Sequence, residues 1–181
     1  MIAVDRETRE TKISVRVKPG SGLASVQTTV PFLDHMLVTL ARYSGLDMEV
    51  RASGDLRHHI VEDVAITLGG AVARLVPVSA TRYGERTVPM DDALVQVAID
   101  VGGRAYYMGP LPGRLYDHWL RSFAFNAKAT LHVRVIRGHD KHHIVEAAFK
   151  ALGLALRDAL SPSLDVSGPF STKGAIGESA C

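Results

Sequence analysis

The chain has 181 residues, 46% of them hydrophobic and 22% charged, with a net charge of +2. That is room for one ordinary domain, or two small fused ones, with a core of its own, and the near-neutral balance gives no footprint for nucleic acid or a membrane surface. The one cysteine, Cys181, excludes an intrachain disulfide and a thiolate cluster built by one chain. The N-terminus lacks the apolar run of a signal peptide and no stretch reaches the roughly 18 apolar residues of a membrane span, so a cytoplasmic protein is expected.

In chain order, residues 12–17 and 25–30 alternate like strands, with Pro19, Gly20, Ser21 and Gly22 as the turn between them. Asp34, His35, Met36 and Leu37, followed by Leu40 and Ala41, have helical spacing, and a strand-like stretch covers 46–52. A second helix opens at His58, with apolar Val61, Val64, Ala65, Leu68, Val72 and Leu75 three and four apart. After a boundary at 77–81, residues 82–88 and 94–101 are strand-like again. A helix is expected around Asp117, His118, Trp119 and Leu120, then a strand over 129–136, a helix over 142–160 and a tail.

This order repeats because the sequence repeats. His-His-Ile-Val-Glu stands at 58–62 and again at 142–146, an offset of 84, and the apolar positions of the first copy recur as Val145, Ala148, Phe149, Leu152, Leu156 and Ala159. Upstream, with the offset slipping to 83, Asp34 and His35 match Asp117 and His118. The expected fold is α+β: an internal duplication of two β-β-α-β-α halves, each a mostly antiparallel sheet with helices on one face. The halves are residues 1–78 and 79–160, and with a tail at 161–181 they form one integrated catalytic domain.

In a helix, residues four apart share a face while neighbours diverge by about 100°. His58 and Glu62 can therefore converge on one point while His59 aims elsewhere, and the second copy offers His142 with Glu146, and His143 apart. Adding the matched His35 and His118 gives six histidines and two carboxylates, which divide into two metal sites of four ligands. Imidazole with carboxylate suits a borderline divalent ion such as manganese, iron, zinc or nickel. Four protein ligands on an ion that accepts six leave positions open for substrate or water, and manganese fits that best. The zinc-peptidase patterns H-E-x-x-H and H-x-x-E-H are absent, the fifth position being Asp63 or Ala147. His132 and His139 do not repeat and are expected to pack or face solvent.

Several stretches closely resemble imidazoleglycerol-phosphate dehydratases. They are Phe32 through Leu37, Gly54-Asp55-Leu56, the first HHIVE with Asp63, Pro89-Met90-Asp91, Gly103-Arg104, the run from Ser122 to Arg134, residues 142–160, and Ser171-Thr172-Lys173-Gly174. The resemblance covers nearly the whole chain. It implies removal of water from D-erythro-imidazole-glycerol phosphate to give imidazole-acetol phosphate, on two manganese ions, in a homo-oligomer of about 24 subunits with metal sites at subunit interfaces. The ligands it implies are His35, His58, His59, Glu62, His118, His142, His143 and Glu146, the same set that the duplication nominates.

With its nitrogens on metal, the substrate ring can lose a proton and, as an imidazolate, expel the neighbouring hydroxyl. By resemblance, Glu10 is the group that moves the proton. Arg82, Arg104, Lys150, Ser171 and Lys173 match the family's phosphate anchors, a role that suits arginine's planar fork of donors. Two alternatives are set against this reading: a catalytically silent, metal-stabilised assembly protein and a metal-dependent hydrolase on the same scaffold. Retention of the anchors and of Glu10 argues against the first.

The chain departs from the family pattern in three places. Gly54-Asp55-Leu56-Arg57 runs straight into His58 where the family has a longer approach with a further acidic residue, so an acceptor for a ligand's second nitrogen is expected to be missing. The stretch 105–117 is shorter than usual. Gly102-Gly103-Arg104-Ala105 replaces the usual Ser-Gly-Arg-Pro while keeping the arginine.

Overall fold

A computed structural model describes residues 1–163. The first half runs β1 (Ile2–Glu7), β2 (Thr11–Pro19), β3 (Ala24–Gln27), α1 (Pro31–Ser44), β4 (Leu46–Gly54) and α2 (Arg57–Leu75). The second repeats that order as β5 (Tyr83–Met90), β6 (Ala93–Asp100), β7 (Tyr106–Met108), α3 (Arg114–Asn126), β8 (Thr130–Arg137) and α4 (Lys141–Leu160). Each half has its own four-stranded sheet, in the orders β1-β2-β4-β3 and β5-β6-β8-β7. The first three strands of each are antiparallel and the last runs parallel to its neighbour.

The fold is the expected α+β duplication with one more strand per half, and the pairing of the early strands differs from the sequence expectation. Residues 12–17 and 25–30 do not form a hairpin. β2 pairs with β1 on one side and β4 on the other, and β3 lies beyond β4. The Pro19 to Gly22 segment therefore crosses the end of β4, where the Asp47 carboxylate accepts the backbone N–H of Ser21 and of Leu23 at 3.0 Å each. β3 stops at Gln27 because Thr29 takes a φ of 63°, turning the chain into α1 while the Thr28 N–H donates to Asp34 Oδ1 at 2.9 Å. The true hairpins are β1–β2 and β5–β6, equivalent to each other in the repeat.

Alternation along the central strands places Ile13, Val15 and Val17 of β2, and Val95, Val97 and Ile99 of β6, on inward faces with almost no exposure. α1 and α2 cover the first sheet and α3 and α4 the second. The helices also meet across the halves, α1 against α4 and α2 against α3, so the four helices lie between two sheets around a single core. Trp119 stacks on Phe123 with ring centres 5.3 Å apart and leans on Phe149 at 4.7 Å. Each such ring, wholly buried, contributes about 1.5–3 kcal/mol.

The cross-half helix contacts are close because Gly69 and Gly153, again 84 residues apart, sit at the crossings. A Cβ on Gly69 would lie 2.6 Å from the Phe123 carbonyl oxygen, and one on Gly153 2.8 Å from the Tyr43 Cβ. Among the described residues no helix is long and apolar enough to cross a membrane.

Candidate metal centre

The two cross-half helix pairs bring the repeated histidines to the repeated carboxylates. His35 on α1 meets the HHxxE helix of the other half: its Nε2 lies 3.3 Å from Glu146 Oε2, and His142 Nε2 lies 3.1 Å from the same oxygen. Donors bonded to one ion at about 2.1 Å lie roughly 3 Å apart at right-angled positions, so the trio has the spacing of adjacent ligands. The three donor atoms all fall within 4.8 Å of one another. Symmetrically, His118 on α3 reaches Glu62 on α2, at 3.1 Å. His58, the expected third member there, has its ring 4.1 Å from that of His59.

Glu146 is buried, yet its carboxyl is held below the ordinary carboxylate range. Burial works against ionisation, but Lys150, His35 and His142 together outweigh it. Lys150 Nζ lies 2.9 Å from Glu146 Oε1, so in this chain the expected phosphate anchor supports a candidate ligand. The donor histidines are open to solvent, with His35, His118 and His142 side chains about half exposed at 46%, 50% and 49%. A neutral imidazole and a carboxylate at an open surface fit a divalent ion that keeps room for further ligands.

His59 and His143 point away from these groups, as the helical spacing requires, and each rests on a carboxylate. His143 Nδ1 lies 2.7 Å from Asp92 Oδ1, and the backbone N–H groups of His139 and Asp140 donate to Asp92 Oδ2. His59 Nδ1 lies 2.8 Å from Asp55 Oδ1. These contacts raise both imidazole pKa values, through Asp92 for His143 and Asp55 for His59. The acceptor expected to be missing from the shortened approach to His58 is thus supplied by Asp55, which also accepts the Leu56 N–H at 2.7 Å and faces the open N-terminus of α2. Sequence reasoning missed Asp92. Its signal was its place in the β5–β6 turn, one residue before the central strand.

Glu10 occupies the β1–β2 turn, and its carboxylate lies 3.6 Å from His59 Nδ1. That hairpin is fastened to α2 by Asp63, which accepts from Arg6 Nε at 2.9 Å and from the Thr11 hydroxyl. Arg82 is engaged with Asp100, Nη2 to Oδ2 at 3.0 Å, and Gly103 lies against its guanidinium. Arg104 is exposed beside it in the same corner. Ser171 and Lys173 lie outside the described residues. His132 is exposed on β8 beside the Tyr106 ring, and His139 is exposed before α4, with its backbone N–H on Asp92.

The sequence matches the model of the imidazoleglycerol-phosphate dehydratase family over residues 28–156. The imidazoleglycerol-phosphate dehydratase of Pyrobaculum calidifontis is 46% identical over 187 residues, covering 94% of this chain and 97% of the relative. That of Kineococcus radiotolerans is 44% identical over 193 residues, covering 96% and 97%. Among solved structures, the Pyrococcus furiosus enzyme in complex with (S)-C348 is similar with a TM-score of 0.84 at 40% identity, over 95% of this chain and 99% of its own. The Staphylococcus aureus enzyme gives 0.78 at 29% identity, over 90% and 100%.

Proposed function

The chain belongs to the imidazoleglycerol-phosphate dehydratase family and carries its hydro-lyase activity in histidine biosynthesis, which we propose it performs with two manganese ions. The ligands in this reading are His35, His58, His59, Glu62, His118, His142, His143 and Glu146. The observation that carries it is the convergence of His35, His142 and Glu146, drawn from both halves of the duplication onto one point. Since His59 and His143 aim away from the two cross-half groups, an ion held at either group would draw its remaining imidazole from a neighbouring copy. The working enzyme is then a homo-oligomer, of about 24 subunits by family resemblance. Residues 1–78 and 79–160 act as halves of one integrated catalytic domain in the cytoplasm.

Bound ions supply Lewis acidity at the substrate's imidazole ring and a template for its placement. The protein supplies the rest. Glu10, held at the α2 terminus by the Asp63-fastened hairpin, moves the proton between carbon and solvent. Arg82, Arg104 and Lys150, with Ser171 and Lys173 of the tail, hold the phosphate. The Asp100 carboxylate fixes the Arg82 fork so that less side-chain freedom is lost when phosphate binds.

The test is formation of imidazole-acetol phosphate from imidazoleglycerol phosphate by manganese-loaded protein. Wild type should turn over with two ions bound per chain, and His142→Ala should lose at least about 100-fold in rate with one site emptied. No turnover by metal-replete wild type would overturn the reading, and equal turnover by His142→Ala would remove the ligand assignment.

A further inference from the structure

The duplication sets a carboxylate at the same place in each half, and the two have parted in what they do. Glu10 immediately precedes β2, and Asp92 precedes β6 by the same step. Each turn lies against a glycine at the end of its half's last strand. A Cβ on Gly54 would lie 2.8 Å from the Glu10 carbonyl oxygen, and one on Gly138, 84 residues on, 3.1 Å from the Ala93 Cβ. Each turn therefore delivers its carboxylate to the second histidine of its HHxxE helix, His59 in one half and His143 in the other.

In the second half the turn carboxylate is fully committed. Asp92 accepts from His143 Nδ1 at 2.7 Å and from two backbone N–H groups, at 2.6 and 3.1 Å. In the first half the same nitrogen is taken at 2.8 Å by Asp55, from the loop between β4 and α2. Glu10 stands off at 3.6 Å, 57% exposed, with no side-chain hydrogen bond among the described residues. Asp55 is itself tied to that turn, its N–H donating to the Glu10 carbonyl at 3.0 Å. The position 84 residues after Asp55 is His139, so the second half has no carboxylate there and needs its turn residue for the histidine.

We propose that Asp55 is a positioning residue: it holds the His59 ring by Nδ1, presenting Nε2 to metal, and so releases the Glu10 carboxylate from the duty that its counterpart Asp92 performs. A carboxylate on one ring nitrogen fixes both the tautomer and the ring plane of a ligand histidine. Without Asp55, Glu10 is the nearest acceptor, and closing the remaining gap to His59 withdraws it from the substrate. This rests on the reading that Glu10 moves the proton.

The experiment measures manganese affinity by electron paramagnetic resonance titration of the assembled protein, alongside steady-state rates at saturating manganese. Asp55→Ala should weaken manganese binding about tenfold, within the 10–100-fold typical of such supports. Its kcat should stay at least tenfold low even when the metal is saturated, with KM within about threefold. Asp55→Glu, which keeps an acceptor, should recover most of both. Glu10→Ala should leave affinity within about threefold in wild type but weaken it further in the Asp55→Ala background, where Glu10 has become the acceptor.

A wild-type manganese affinity in Asp55→Ala would overturn the proposal, as would a Glu10→Ala effect on affinity that is the same in both backgrounds. Full activity of Glu10→Gln in the otherwise intact protein would instead remove the proton-transfer role, leaving the affinity measurements to judge Asp55 by themselves.

Discussion

Asp63 lies one residue past Glu62, about 100° further round α2 and on the face of His59, and it is 8% exposed. Its two oxygens are used by Arg6 on β1 and Thr11 on β2, so one side chain clasps both strands of the hairpin that carries Glu10. Arg6 is 39% exposed at its side chain, so the ion pair itself is partly screened, and the larger share belongs to the buried Thr11 hydroxyl, which would keep only its 3.2 Å contact with the Thr8 hydroxyl. Asp63→Ala should cost about 2 kcal/mol in urea unfolding of the metal-free protein. It should also lower kcat more than manganese affinity, since the hairpin holds Glu10 and the ligands lie on helices. An equal loss in both would place Asp63 in the support of the metal ligands instead. That aspartate was legible in the sequence as part of the HHIVED motif, but its partner was not. Arg6 occupies an inward position of a strand whose apolar alternation it breaks, so residues 2–7 do not stand out as a strand by pattern.

At the scale of elements, the helices were the legible part, because an apolar stripe of three- and four-residue spacing is a local signal and the repeat doubled it. The sheet edges were less so. Residues 25–30 were legible as a strand but their place was not: β3 pairs in parallel with β4, reached through α1, and not with β2. β7, three residues long and likewise parallel to a strand beyond a helix, is announced by neither length nor sequence proximity. The helix crossings carry a signal of their own in the matched glycines. Gly69→Ala puts a methyl against the Phe123 carbonyl, and the rigid backbone opposite leaves only helix displacement as relief. A destabilisation of about 1–3 kcal/mol is expected, beyond the roughly 1 kcal/mol that alanine gains in helix propensity. The neighbouring Gly70 has nothing within 4 Å of a built Cβ, so Gly70→Ala should be neutral or stabilising. Thermal unfolding of both variants checks this. Like shifts in the two would mean that propensity, not close approach, decides the outcome. Because the α2–α3 crossing sets Glu62 against His118, Gly69→Ala should also weaken metal binding at that group.

For the whole molecule, the decisive geometry is the length of the β5–β6 hairpin. Its turn, with Asp91 and Asp92, lies at His143, and its open end holds Arg82 with Arg104 beside it. The eight residues of β5 separate these ends by about 26 Å at the usual rise per residue. A substrate whose ring and phosphate are joined by a three-carbon chain cannot touch both ends in one copy. Lys150, beside Glu146, is the candidate anchor at the His143 end. The sequence offered both residue sets without saying that they are far apart, because separation along a folded strand is invisible in a motif. Their distance supports active sites assembled from two or more copies, and mixing variants tests it. His142→Ala and Arg104→Ala should each be nearly inactive alone. Co-expressed in equal amounts, they should form mixed oligomers in which some sites draw intact ligands from one copy and intact arginine from another, recovering up to about a quarter of wild-type turnover. Sites contained within single chains would show no recovery, because every chain in the mixture carries a defect. Tagging the two variants differently and isolating the doubly tagged species keeps a failure to mix from being read as a failure to complement.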